Sequence, residues 1–599
     1  ANTRPVAMVS CDHRLRQLLV PLVLILSNLL VGTVESAHVF DAYRLVQYDK
    51  NGKPYGSRRS QVYHMAAPAK LAKHGNLSSG SHEDAVGNKD KIKHSEEDKE
   101  KEASSSAKKK RRTNQGDLYR KAIMVRMENM NEAVLERLVD RRSATVVVIV
   151  LPSDLTTVPP PTLAKWRTFE QFLLTRQFTI PIYFAFEDED VNGIIDALEA
   201  QGSSGKNSSN GGPSSPQQLI GSGERIQLVS GASDATLLPN INVLNLHGWL
   251  RGYGDGPGHD PLPEDDPTVA IVANYDTFAA APGLAVGADH NASGTIALLE
   301  IARILGRLYS EFRTRGLHSI LFILTSAGGM SFAGTKHWIR RADSRVLEAL
   351  EFVVCLEDLA HGSDLFLHAS TSPEEDETLG SMVQNFKDSA AKMDVPLHVI
   401  TTKLNSSDSS VRWPHEQFTK KRITAVTVCN YREAKPLFSG GSIFDQFKLT
   451  SLEVLGRNIK IIVEALARFI YEKPEQYLNI VSHSHSVNQA FLASWASFMG
   501  SSPRGFPFLT EESPVSVELE RALRKHTFEV TRESFQLESV YKFYKSSTYA
   551  TTLTAFKVKS MSFDLLLSLA IMAYLLLLHL FLQYRSVGEF IKSLKPKKE

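Results

Sequence analysis

Between residues 267 and 472, short apolar runs alternate with segments of helical period. The runs are PTVAIVANYD, LHSILFILTS, LEFVVCLE, LFLHAS, PLHVITT and ITAVTV. Each is a near-continuous stretch of β-branched and aliphatic residues bounded by turn formers, the pattern of a strand buried on both faces. The intervening SGTIALLEIARILGRLYSEF and LTSLEVLGRNIKIIVEALARFIYE place apolar residues three and four apart, as one face of a helix requires. Parallel strands need long crossovers, and helices supply them. The expected fold is therefore α/β, a mostly parallel sheet flanked by helices. In such sheets chemistry collects beyond the C-terminal ends of the strands. NYD (274–276), TSAGGM (325–330) and CLEDLA (355–360) all lie at strand ends of this kind.

Other segments surround this core, which we bound at 241–472. Residues 37–74 open with HVFDAYRLVQYD, a strand-like region. Residues 75–116 form a low-complexity charged insert whose composition cannot supply a core. NMNEAVLERLVDR, ATVVVIVLP and IPIYFAFED then predict a small α/β subdomain over 117–240, with a flexible Gly/Ser-rich loop at 201–223. Residues 473–560 are polar and mixed, and are expected to form a helical membrane-proximal stalk. No internal repeat is evident.

Two segments set the expected compartment. Arg14 and Arg16 precede LLVPLVLILSNLLVG, and small residues Val34 and Ser36 precede a plausible cut, so 1–36 reads as a secretory signal. The alternative is a first membrane span, for which the apolar run is short. LLLSLAIMAYLLLLHLFLQY (565–584) has the length of a transmembrane helix, at about 1.5 Å per residue against a core of about 30 Å. Arg585, Lys592, Lys595, Lys597 and Lys598 follow it, so the tail 585–599 is expected in the cytosol and the body on the luminal side. Lys595 and Lys597 in KPKKE have the spacing of a dilysine retrieval signal, which points to the endoplasmic reticulum; the alternative is a generic basic flank. Asn76, Asn207 and Asn405 are candidate glycosylation sites, whereas Asn291, also in a sequon, is expected to be too buried. Of three cysteines, Cys11 lies in the signal, and Cys355 and Cys429 end β-like runs as expected buried thiols. The net charge of +2 gives no bias toward nucleic acid.

GADHNASGTIALLEIARIL (287–305) resembles the GADDNASG motif of the M28 zinc aminopeptidases, and the runs from about 265 to 470 follow that family's order. The long N-terminal part and the C-terminal span make the chain similar to the nicastrin-like branch of that superfamily. The resemblance implies two zinc ions held by His and carboxylate ligands, with a glutamate as general base. Mapped residue by residue, this chain departs from it. Asn274 stands at a ligand histidine, with Asp276 kept as its orienting partner. Asp289 is kept at the bridging aspartate, and His290 stands where a second Asp is usual. Gly328 replaces the general base and Gly329 a ligand carboxylate. Glu357 sits at the next ligand, with Asp358 beside it, and either could reach a metal. Gly441 stands at the last ligand histidine, and Asp445 is kept. His415 matches a region outside the ligand set.

Loss of the base alone costs a factor of about 10²–10⁴. The resemblance thus implies a pseudoenzyme with no cofactor, in which Asn274, Asp276, Asp289, Gly328, Gly329, Glu357 and Gly441 line a vestigial pocket. A compensating histidine at His290, His483 or His485 stays open. The resemblance further implies a scaffold subunit in the endoplasmic reticulum membrane. Its partners would be the luminal protein Nodal modulator (NOMO) and a small multi-pass membrane protein, in contact with the lipid bilayer and, indirectly, with the Sec61 translocon and ribosome. That complex serves multi-pass membrane protein biogenesis and is linked to Nodal signalling. The alternatives are a module that binds peptide N-termini and a residual zinc aminopeptidase. In the span, Ser568, Ala570 and Ala573 offer a small-residue patch for helix packing.

Overall fold

The computed structural model describes residues 38–57, 67–71, 121–140, 144–204, 225–230, 235–253, 266–404, 410–433, 440–472, 480–482, 485–537, 540–545, 550–558 and 561–583. The expected signal, the charged insert, the sequons at Asn76, Asn207 and Asn405, His483, and Lys595 and Lys597 lie outside the described residues.

An N-terminal module contains a closed seven-strand barrel, with strands in the order His38–Arg44, Thr551–Val558, Arg225–Ser230, Ala67–Leu71, Lys121–Arg126, Ala144–Leu151 and Ile182–Phe186. The apolar run ATVVVIVL becomes a strand because both its faces are covered, and Val147 to Leu151 are all buried. Helix α1 (Pro160–Thr175) packs beside this barrel with Pro160 at its first position, where a missing N–H costs nothing. It turns Leu163, Trp166, Phe169, Glu170, Leu173 and Leu174 inward.

The large domain is built on an eight-stranded sheet. Its strands are β1 (Asn242–Leu250), β2 (Thr268–Asn274), β3 (Ser319–Thr325), β4 (Leu350–Leu356), β5 (Leu365–Ala369), β6 (Leu397–Thr401), β7 (Ala425–Cys429) and β8 (Glu529–Gln536), in the order β6-β5-β7-β4-β2-β3-β1-β8. The centre, β7-β4-β2-β3, is parallel, as the continuous apolar runs predict. Antiparallel pairings flank it: β5 with β7, β3 with β1, and β1 with β8. Every residue of β2 and β3 is buried. Helices α2 (Gly294–Tyr309) and α3 (Leu452–Ile470) contribute to the large core on one face of this sheet, and Ser451 caps α3 through the amide of Val454. Cys355 and Cys429 are free, buried thiols at the ends of β4 and β7.

Residues 473–560 are not a stalk. Helices α4 (Gln489–Ser501) and α5 (Pro514–His526) bury Leu492, Met499, Leu519 and Leu523 in the main core. Strand β8 extends the large sheet. Tyr541–Lys545 lies between Thr236–Leu237 and Gln47–Lys50 in a five-stranded sheet, and Thr551–Val558 is a barrel stave. The sequence hides this because β8, EVTRESFQ, is half exposed at a sheet edge and carries no apolar run. By the same pairing, 37–74 and 117–240 are not separate units: His38–Arg44 pairs with Ile182–Phe186 in one barrel.

Helix α6 (Met561–Gln583) forms over the expected span. Its described side chains are Leu565 and residues 567–579. Among the described residues no helix is long and apolar enough to cross a membrane.

Candidate functional site

The loops after β2, β3 and β4 leave neighbouring strand ends and meet the segments around Asp289 and Gly441. Asn274 ends β2. Its Nδ2 donates at 2.9 Å both to the carbonyl of Asp276 and to Asp276 Oδ1, while its buried Oδ1 accepts nothing. Asp276 gathers the β3 loop instead of orienting a histidine. Its carboxylate accepts from the Ser326 hydroxyl, from the Ala327 amide at 2.5 Å and from the Gly328 amide at 3.2 Å. Burial raises its pKa against these hydrogen bonds.

Those bonds wind Gly328–Met330 into a short turn between residues in the left-handed region, Ala327 (φ 59°) and Ser331 (φ 56°). A side chain at either glycine would be crowded there. A Cβ on Gly328 would sit 2.4 Å from Asn274 Nδ2, and one on Gly329 would sit 2.5 Å from Phe278 Cβ. The backbone of Gly440 closes over the same place, 3.3 Å from that second Cβ, and its carbonyl accepts from the Phe278 amide at 2.9 Å. Gly441 (φ 149°) faces Thr277, 3.1 Å from the position its own Cβ would take.

The other half of the pocket is acidic. Gly287 (φ 59°) turns the chain into a widened first turn, Ala288–Ser293, that leads into α2. Asp445 caps this turn, accepting from the Asp289 amide at 3.0 Å and the His290 amide at 2.8 Å. Asp289 Oδ1 accepts from the Ala360 amide at 2.8 Å, and its buried Oδ2 has no partner. Burial, then the charges of Asp358 and Asp445, push the Asp289 carboxyl up to about 7. His290 Nδ1 lies 3.1 Å from Asp358 Oδ1. Of the adjacent pair Glu357 and Asp358, both buried, it is Asp358 whose charge raises the Asp289 pKa. His415 is buried and bonded through Nδ1 to Thr427 Oγ1 at 2.7 Å; burial pushes its pKa down to about 3, so it is neutral. Asn291 is buried and accepts from Thr277 Oγ1 at 2.6 Å.

Three residues of this site carry no local sequence signal. Arg504, fully buried, donates to the carbonyls of Tyr275, Val286 and Gly287, joining the NYD and GADHN loops from behind. Glu170 of α1, also buried, accepts from the Ala280 amide at 2.9 Å, the Ser442 hydroxyl at 2.5 Å and the Ile443 amide at 3.1 Å. One turn earlier, Arg167 Nη1 approaches the Tyr431 hydroxyl at 3.5 Å. The N-terminal module thus reaches the loops that carry the expected pocket residues. Trp166 meets Phe444 with ring centroids 5.6 Å apart, and both belong to a core that runs from the module into these loops.

The comparisons agree with this architecture. Residues 257–463 match the model of peptidase family M28. The BOS complex subunit ncln of Danio rerio is 29% identical over 596 residues, covering 94% of each chain. Nicalin of Caenorhabditis elegans is 28% identical over 357 residues, covering 56% of this chain and 60% of that one. The chain is similar to nicalin. Among solved structures, the gamma-secretase component Nicastrin superposes with a TM-score of 0.55 at 12% identity, covering 87% of this chain and all of that one. That likeness fixes the fold: an M28 peptidase-like α/β domain carrying an N-terminal module, as in the nicastrin-like arrangement expected from the sequence.

The fold family implies zinc, and the residues present do not fit it. Asn274 is an amide bonded to Asp276, and positions 328, 329 and 441 have no side chain. Among the described residues no group of three or more His, Cys, Asp or Glu side chains could hold a metal ion. Zinc centres need three or four such donors.

Proposed function

We propose that this chain is a non-catalytic scaffold subunit of an endoplasmic reticulum membrane complex. The observation that carries the reading is the close packing at Gly328 and Gly329, where a general base and a ligand carboxylate would have to stand. Peptide hydrolysis by an M28 route needs both the polarising metal and the base. A chain that has closed its own cleft keeps the fold for its surfaces. The relatives named as BOS complex subunits support membership of a complex.

In the fuller form of the reading, α6 is a single membrane span with the body in the lumen. Its described residues support this: Leu565, Leu569, Met572, Leu575, Leu576 and Leu577 are exposed, a density of apolar surface that water does not favour. The tail with Lys595 and Lys597 retrieves the protein. Nodal modulator binds the luminal body, a small multi-pass protein packs against the span, and the assembly works beside the Sec61 translocon.

The test is co-purification of the tagged full chain from membranes. Nodal modulator and the multi-pass protein should come with it, and replacing 565–584 by a generic apolar span should reduce recovery of the multi-pass protein. A chain that purifies alone and releases amino acids from peptide substrates would overturn the reading.

A further inference from the structure

The N-terminal barrel is tied directly to α6. Its stave Thr551–Val558 ends three residues before Met561. Three Cα steps hold the stave end and the helix start within about 11 Å of each other. Leu565, where the apolar stretch begins, lies about 6 Å further along the helix. One face of the barrel is graded toward this end. Along His38–Arg44 and its antiparallel neighbour Thr551–Val558, successive side chains alternate between the two faces. Phe40, Ala42, Leu553 and Ala555 lie in the core that helix Glu189–Ser204 also fills, and Val39, Asp41, Thr552, Thr554 and Phe556 face the other way. The register sets Asp41 beside Thr552 and Val39 beside Thr554, with Phe556 one step nearer α6. The outer face is therefore polar away from the helix and apolar toward it, where Val39 is 48% and Phe556 38% exposed.

We propose that this rim of the barrel rests on the bilayer, with Val39 and Phe556 entering the headgroup layer of a zwitterionic lipid surface. The proposal rests on the reading of α6 as a membrane span given above. Single exposed apolar side chains ordinarily need no partner. These two stand on neighbouring staves at the foot of an apolar helix, so the surface that takes the helix is within their reach. The charge of the rim selects the lipid. Next to Val39 a groove of about 320 Å³ is lined by Asp41, Tyr43, Phe186 and Asp188. The basic groups of the same rim are engaged by other acids: Arg126 bonds Glu187, and His38 Nδ1 lies 2.8 Å from Asp190 Oδ1. Two carboxylates beside two aromatic rings suit the ammonium group of a choline or ethanolamine headgroup, and they repel a headgroup of net negative charge.

The experiment is fluorescence quenching of the full chain reconstituted in phosphatidylcholine vesicles that carry a nitroxide on the headgroup or on the acyl chain. Cys11→Ser leaves only the buried thiols of Cys355 and Cys429, so one reactive position at a time can be labelled: Val39→Cys, Thr552→Cys, Phe556→Cys, Leu317→Cys or Met572→Cys. Leu317 is 46% exposed, much as Val39 is, but it precedes β3 and so lies at the other end of that strand from the loops on which the N-terminal module packs. With the headgroup nitroxide, labels at 39 and 556 should lose fluorescence, the label at 552 should lose less, and the label at 317 should lose none. Phosphatidylserine in place of part of the phosphatidylcholine should reduce the loss at 39. Equal loss at 317, 39 and 556 would overturn the proposal, as would a loss at 39 that grows with phosphatidylserine. The label at 572 separates the two readings. Its quenching by the acyl-chain nitroxide, with no headgroup quenching at 39 or 556, would overturn the docked rim and keep the span, whereas no quenching at 572 would overturn the span itself.

Discussion

Asn274 and Gly329 show how a few residues set the wiring of the pocket. The amide at 274 donates to Asp276, and Asp276 spends its remaining capacity on the backbone of 326–328. That arrangement draws the β3 loop inward until Gly329 packs against Phe278 and Gly440. The glycines are therefore structural requirements, since a side chain at either place would have to displace its neighbours. Gly329→Ala should destabilise the protein by about 1–3 kcal/mol, since the new Cβ meets the Cβ of Phe278 beside its backbone. Thermal or denaturant unfolding measures it, and an unchanged midpoint would show that the loops are looser than described. Positions 274, 328, 329 and 441 could be singled out in the sequence because a motif framed each of them. Arg167, Glu170 and Arg504 could not. They lie far from these motifs in the chain, in PTLAKWRTFE and SSPRG, where neither spacing nor period marks a pocket residue.

At the scale of elements, the strands that carry the site were legible from their apolar runs, and β2, β3, β4, β5, β6 and β7 all form where those runs predict. What could not be read is where the last part of the chain goes. Glu529–Gln536, Tyr541–Lys545 and Thr551–Val558 are strands with one wet face, and their partners are up to about 500 residues away. Thr551–Val558 stands between His38–Arg44 and Arg225–Ser230, so it closes the barrel. A chain ending at 536 should therefore leave the edges of both flanking strands open and lose the fold of the N-terminal module, while a chain ending at 560 keeps it. Protection of amides in Ala144–Leu151 from hydrogen exchange reports the difference. Equal protection in both chains would mean the barrel does not need its last stave.

For the whole molecule, the N-terminal module and the peptidase-like domain share one core across the old cleft. Trp166 and Phe169 from α1 lie in the same apolar cluster as Phe278, Met330 and Phe444 from the site loops. Glu170 adds a buried carboxylate with donors from two of those loops. A substrate peptide would have to displace this joint, whose separation would expose apolar surface at about 25 cal/mol per Å² and leave the amides of Ala280 and Ile443 without an acceptor. The module is thus packed directly against the loops of the candidate site. The most direct test is the zinc content of the purified full chain, measured by elemental analysis after preparation without chelators. The account predicts close to no zinc per chain. One or two zinc ions bound per chain would contradict it, and would mean that the pocket around Asp289 holds a metal through donors other than those described.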